Sequence, residues 1–530
     1  MTFRTLAATG ALAVALGVPA LAETPPNAMV MAFNIDAITT FDPAQIAEAV
    51  TDEFITNTCD SLANFAPDDE STSIPALAES WDVSEDGLTI TFHLRDGIVF
   101  PDGTPGTAGD LVWSMERVVR LGFGNAAQLT EFGFTTDNIA QRITAPDDRT
   151  VVMTLDKPYP VGLILSSIAA NRVATMLNRA VLEANDKDGD LGNAYLQSHT
   201  ACVGPYSLRQ WNPGEVVVLE ANEHYNGDRP NLQRILIRHV AEPGTQRLLL
   251  EKGDIDVARN LGSEDLQALE SVDGIEIVST LIPSQFYLGM NAARKPFDDP
   301  KVRLAMRWLV DYQGLADSVM KGVGVARAAP VPLGSFGALD EAEGQPFHAD
   351  LDKARELLAE AGYPDGFTAT LIIGSHPYAD PIAQSVQQNA AQIGVTLNIE
   401  RMANAQLFAR HRSRDFDAAM LGFRATVPDA HGMLSRLVYN PDNSLEAQLT
   451  QFPSWRSAYY DPEMNARIDE ALFERDPEKR AELYHQIQID VMQQGPMAYV
   501  MQSISVAAKR DTLKDWTWNG FRIYYGKASK

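Results

Sequence analysis

The chain has 530 residues, 45% of them hydrophobic and 21% charged, and carries a formal net charge of −27. That length accommodates more than one domain, each with its own core. The acidity argues against nucleic acid and anionic membrane surfaces as partners; it does not fix the charge of a ligand, which depends on the few groups inside a site.

Residues 1–22 read as a signal peptide. Arg4 makes a short positive region, residues 6–18 an apolar run, and Ala20-Leu21-Ala22 a small-residue cleavage site. The apolar run is too short to span a membrane well, and no later segment offers a long uncharged apolar stretch. No Cys follows the cleavage site, so a lipid anchor is not expected. The expectation is a soluble exported protein beginning near Glu23.

A short apolar strand at 29–33 leads to Asp42-Pro43, and residues 51–62 suggest a helix. The richest stretch is 77–120. Leu88, Ile90, Phe92 and Leu94 alternate with polar residues, which puts one apolar face on a strand. Asp86-Gly87 and Asp96-Gly97 supply turns, because Gly tolerates positive φ. Thr107 with Asp110 three residues on forms a capping box for a helix whose apolar face is Leu111, Met115 and Val118.

This stretch closely resembles the signature region of the family 5 solute-binding proteins of bacterial ABC importers, which bind oligopeptides, dipeptides, nickel complexes, opines and some oligosaccharides. Further landmarks follow in family order: Cys202-Val203-Gly204-Pro205-Tyr206, the turn 222–231, Asp254-Ile255-Asp256-Val257, and 283–291 followed by Phe297-Asp298-Asp299. Asp299 caps a helix with Pro300 at its first position, and Asp350 caps another at 351–362 that Gly362 stops. Residues 368–373, 395–400 and 417–422 read as strands with helices between them, 481–492 as a late helix and 497–506 as a returning strand.

The resemblance implies an α/β fold of two lobes with a hinge between them, the type II periplasmic binding protein fold of the large cluster. The first lobe would comprise 23–60, 191–280 and a C-terminal return at 497–530, with an extra subdomain at 61–190; the second would be 281–496. Ligand would bind between the lobes and be enclosed as they close. Cys59 and Cys202 fall in segments the family places in one lobe, which favours a disulfide over two separate thiols in an oxidising compartment.

Enzyme motifs are absent: there is no GxSxG, HExxH, Walker A or GxGxxG. Ser318 and Lys321 match the SxxK pattern of acyl-enzymes but lack KTG and SDN partners. The nine His are scattered without ligand spacing, and 185–190 lacks the Glu a calcium loop needs, so neither a protein-only metal site nor a cofactor is expected.

The best site candidate is 422–434, which emerges at the C-terminal end of a strand, where open α/β sheets bind ligands. It gathers Phe423, Arg424, Asp429 and His431. By resemblance, an Asp that holds a peptide's ammonium in peptide-binding members falls at Thr426 here, with Asp429 the nearest replacement. Arg424 is a planar bidentate donor suited to a carboxylate or sulfonate; Arg410 matches a basic position upstream. Position alone adds Thr39, Thr40, Phe286, Tyr287, Trp455, Tyr499 and Gln502. The expected function is capture of a small polar organic solute (peptide-, opine- or carboxylate-like), as a monomer, for delivery to the transmembrane subunits of an ABC permease. The alternatives are an exported serine hydrolase using Ser318 and Lys321, and capture of a metal chelate.

Overall fold

The computed structural model describes residues 24–46 and 48–530, so the expected signal peptide lies outside the described residues. Among them no helix is long and apolar enough to cross a membrane.

One mixed sheet of eleven strands runs through both lobes. Its two central strands, Ile275–Met290 and Met497–Arg510, are antiparallel partners from Ile275 beside Arg510 to Gly289 beside Met497. On one flank, Ala418–Arg424 pairs with the first of them, followed by Thr368–Ile373 and Thr396–Arg401. On the other flank Val257–Arg259 pairs with the second, followed by Ala28–Phe33, Arg234–His239, Val216–Ala221 and Tyr206–Asn212. Thr368–Ile373 is parallel to both its neighbours, and the helices Ala379–Ala391 and Asn404–Arg412 make the crossovers. Ala28–Phe33 is likewise parallel to both of its neighbours. It is buried on both faces, which explains its unbroken apolar sequence.

The two central strands cross from lobe to lobe, and their register breaks between Leu281 and Gln285. The first begins eight residues before the expected start at Pro283. Pro283 falls within the break, where the ladder does not require its missing N–H. Gln502 secures the crossing: its buried amide donates to the carbonyls of Ile282 and Leu333 and accepts from the Leu333 N–H.

The subdomain is built on a separate antiparallel sheet in the order Ala78–Val83, Thr89–Leu94, Thr150–Thr154, Ile143–Asp147. Ile90, Phe92 and Leu94 point into a core shared with Leu111 and Met115. The hairpin turn holds Gly87 at φ 73°. The helix Ala108–Leu121 starts on the expected capping box, with Thr107 and Asp110 exchanging bonds. From inside this helix Arg117 reaches Asp42 through two bonds of 2.8 and 2.6 Å, both side chains fully buried, which ties the subdomain to the Asp42-Pro43 turn. Cys59 and Cys202 form a disulfide with their Cα atoms 4.9 Å apart. The bond brings together the two ends of the segment that contains this sheet. The first helix, Ala49–Thr58, stops short of the expected residue 62 because Cys59 turns extended into that bond. In the 185–190 loop, Asp186 and Asp190 spend their carboxylates on backbone N–H groups of the loop itself.

Candidate functional site

Three segments of the first lobe face one strand end of the second. The helix Ala49–Thr58 presents Asp52 and Glu53, and the strand Val257–Arg259 ends in Arg259. A small hairpin pairs Thr517–Trp518 with Ile523–Tyr524 and turns through Asn519-Gly520-Phe521-Arg522. Opposite them, Ala418–Arg424 delivers Arg424 at its C-terminal end. Between them lies a cavity of about 350 Å³ lined by Asp52, Arg259, Trp518, Arg522, Arg424 and Thr426, among others.

Two acid–base pairs stand on the first-lobe wall of this cavity. Arg259 donates to both oxygens of Glu53 at 3.0 and 2.8 Å, and its guanidinium lies 5.1 Å from the Trp518 ring centre. Buried Arg522 pairs with Asp52 and also donates to the carbonyls of Ala169 and Ala170. Arg424 differs. It donates to the Gly520 carbonyl at 3.1 Å, and among the described residues it forms no ion pair. Its side chain stays accessible from the cleft, yet crowding by the walls pulls its pKa below the ordinary guanidinium range, against the pull of Asp52. A cation so placed can receive an anion with two parallel hydrogen bonds.

A second cavity, of about 740 Å³, opens between the subdomain and the second lobe and is lined by Phe423, Val427, His431, Arg436 and, from the subdomain, Lys157 and Tyr159. Thr426 lines both cavities. Its carbonyl accepts from Asn171 Nδ2 at 3.2 Å across the cleft.

Beside the hinge, buried Glu70 packs on Gly520, where any Cβ would come within 1.8 Å of its Oε2. Burial pushes this carboxyl up to about 7, Arg424 opposes that shift and Asp69 adds to it. The folded protein therefore holds a proton that an unfolded Glu, with its pKa near 4.5, releases earlier. The stabilisation is present below that value and is lost as pH rises through about 7. Glu70→Gln is expected to be more stable than the parent at pH 8 by about 1–2 kcal/mol and nearly equal to it at pH 4.5, as read from urea midpoints. An equal gain at both pH values would mean that Glu70 does not titrate in this window.

Of the residues singled out in the sequence, the structure brings Phe423, Arg424, Thr426 and His431 to the cavities. The His431 imidazole is pushed down to about 4 by burial, so it is neutral near pH 7. Asp429 is corrected: it caps the helix Ala430–Leu437 and is gripped by Arg480 at 2.7 and 2.8 Å, both side chains buried. The remaining positions are also engaged elsewhere. Phe286 stacks on His376 at 4.6 Å, and Tyr287 packs on Tyr499 in the second-lobe core. Buried Trp455 donates to the Ser444 carbonyl and carries Arg414 on its ring at 3.8 Å. Gln502 is the hinge clamp described above. Thr40 accepts from the Asp42 N–H, and exposed Thr39 lines neither cavity. Arg410 pairs with Glu400 at 2.9 Å on the surface of its helix. Of the crossing strands, Ile282 and Ser505 reach the smaller cavity, whereas Phe286, Tyr287, Tyr499 and Gln502 are turned into the core. Ser318 sits on an exposed helix end with its Oγ donated to the Gly314 carbonyl, and Lys321 is exposed beyond it.

Sequence reasoning missed Asp52, Arg259, Trp518 and Arg522. Only the last two left a signal, an Asn-Gly turn flanked by aromatics and an Arg at 516–522.

Residues 72–444 match the family model of the bacterial extracellular solute-binding proteins, family 5 (middle). The chain belongs to this family. It is 29% identical over 443 residues to the probable D,D-dipeptide-binding periplasmic protein DdpA of Escherichia coli, a match covering 84% of this chain and 82% of that protein. It is 28% identical over 524 residues to the glutathione-binding protein GsiB of Salmonella typhimurium, covering 97% and 96%. The solved structure of HbpA2 from Haemophilus parasuis superposes with a TM-score of 0.78 at 23% identity, covering 95% of this chain and 98% of that one. That superposition identifies the architecture as the two-lobed periplasmic binding protein fold. In this solute-binding protein the cavities lie where the lobes face each other, at the end of a strand.

Proposed function

We propose that the chain is the solute receptor of a bacterial ABC importer. It is exported to the periplasm through the cleavable segment 1–22, remains unanchored and monomeric, and catalyses nothing. It closes its lobes on one small organic solute and hands it to the transmembrane subunits of a permease. Family membership and the periplasmic relatives support this role.

The solute carries a carboxylate. The observation behind this reading is Arg424, a guanidinium at the cleft that donates to a backbone carbonyl and, among the described residues, forms no ion pair. Thr426 stands where a peptide-binding relative is expected to place its ammonium-binding Asp, and Asp429 is held by Arg480. The expected alignment at Thr426 and the Asp429–Arg480 pair both favour a ligand without a free ammonium.

The test is a thermal-shift screen of the mature protein, unfolded and refolded to strip carried-over ligand, against dipeptides, opines, oligosaccharides, metal chelates and aromatic acids. A carboxylate at a thousand times its dissociation constant is expected to add about 4 kcal/mol of stability. A response to neutral sugars alone would overturn the carboxylate reading.

A further inference from the structure

The larger cavity bears on what the rest of the solute is. Its volume is about twice that of the smaller one, and the two meet at Thr426. Four aromatic rings on its wall, those of Phe423, Tyr439, Phe452 and Phe473, are only half-buried. Its charges are already answered from within. Glu131 of the subdomain pairs with Arg436 of the second lobe, whose guanidinium lies 5.4 Å from the Phe452 ring centre. Lys157 lies 5.3 Å from the Phe473 ring centre and close enough to Asp469 to act on its carboxyl. Phe452 and Phe473 each carry a cation on one face, and the half-buried surface left on the four rings gains most from a flat or apolar body placed against it. In the smaller cavity Asp52 and Glu53 are held by Arg522 and Arg259.

We propose that the larger cavity is an apolar subsite and that the solute is an amphiphilic carboxylate. Its anionic head lies on Arg424, its neck passes Thr426, and its uncharged aromatic body fills the space between Phe423, Tyr439, Phe452 and Phe473. This deepens the carboxylate reading above and rests on it.

The experiment is calorimetric titration of the stripped, refolded protein with three carboxylates of increasing body: succinate, 3-phenylpropionate and N-(4-phenylbenzoyl)glycine. Affinity is expected to rise at least about tenfold from the first to the last. Phe423→Ala and Phe452→Ala are each expected to weaken the largest member by about tenfold, and Phe452→Ala is expected to leave succinate unchanged. Arg424→Ala weakens all three. Equal affinity along the series, lost in Arg424→Ala, would overturn the apolar subsite and leave the carboxylate reading standing. Failure of all three to bind would overturn the carboxylate reading and this inference with it. The series on the unmodified protein does not depend on any variant folding.

Discussion

Arg424→Ala is expected to weaken carboxylate binding by about 2–4 kcal/mol, or about thirtyfold to a thousandfold in Kd. The size follows from where the guanidinium sits. In the cleft it gives one bond to the Gly520 carbonyl and has no carboxylate partner among the described residues. Lobe closure over a ligand removes water from both charges, and a charge-assisted, two-pronged contact then outweighs what either group loses. Arg424→Lys should recover only part of the loss, because an ammonium cannot reproduce the planar fork. Folding stability should change by less than the affinity, since the folded chain loses the bond to Gly520 and the contact with Phe521 but, among the described residues, no ion pair. Titration of the variant with the best carboxylate from the screen decides the matter: unchanged affinity would place the anion site elsewhere.

Asp429→Ala is expected to act in the opposite way, costing about 3–5 kcal/mol of stability, because it strands a buried charge. Burial alone lowers the Arg480 pKa and the adjacent Asp429 raises it above the ordinary guanidinium range, so removing Asp429 leaves the burial penalty on this guanidinium uncompensated. The variant also loses the cap of the helix that carries His431. Asp429→Asn keeps the cap and loses the charge, which separates the two contributions. A double change of Asp429→Ala with Arg480→Met should regain part of the loss, since no unpaired charge remains. Urea midpoints of the four proteins give the answer. A loss of affinity in Asp429→Ala at unchanged stability would return Asp429 to the ligand.

Local rules account for what could be read in advance. The Thr107–Asp110 box, the Asp299-Pro300 start and the Asp350 cap each depend on residues within one turn, and each starts a helix in the structure. The strand Thr368–Ile373 ends where its apolar run ends. Arg424 and Phe423 were legible because a strand's C-terminal end is a recurrent ligand position. Asp429 looked identical in that respect. Its partner Arg480 lies 51 residues onward on another helix, and no local pattern announces that pairing. The first-lobe half of the cavity was illegible for the same reason: Asp52 meets Arg522 across 470 residues, and Glu53 meets Arg259 across 206. The length of the first central strand was hidden by Pro283, which reads as a stop unless a register break is there to receive it.

The disulfide joins two points 143 residues apart in the chain and 4.9 Å apart in space, and the subdomain sheet is strung between them. A protease that nicks any loop of that subdomain therefore does not divide the molecule. The fragments stay bolted to a common base, co-migrate until a reductant is added, and retain the Arg117–Asp42 tie that positions them. The bond is the covalent root of this segment, and Trp113, Leu177 and Leu182 fasten it further by packing into the core that holds Phe54 and Cys59.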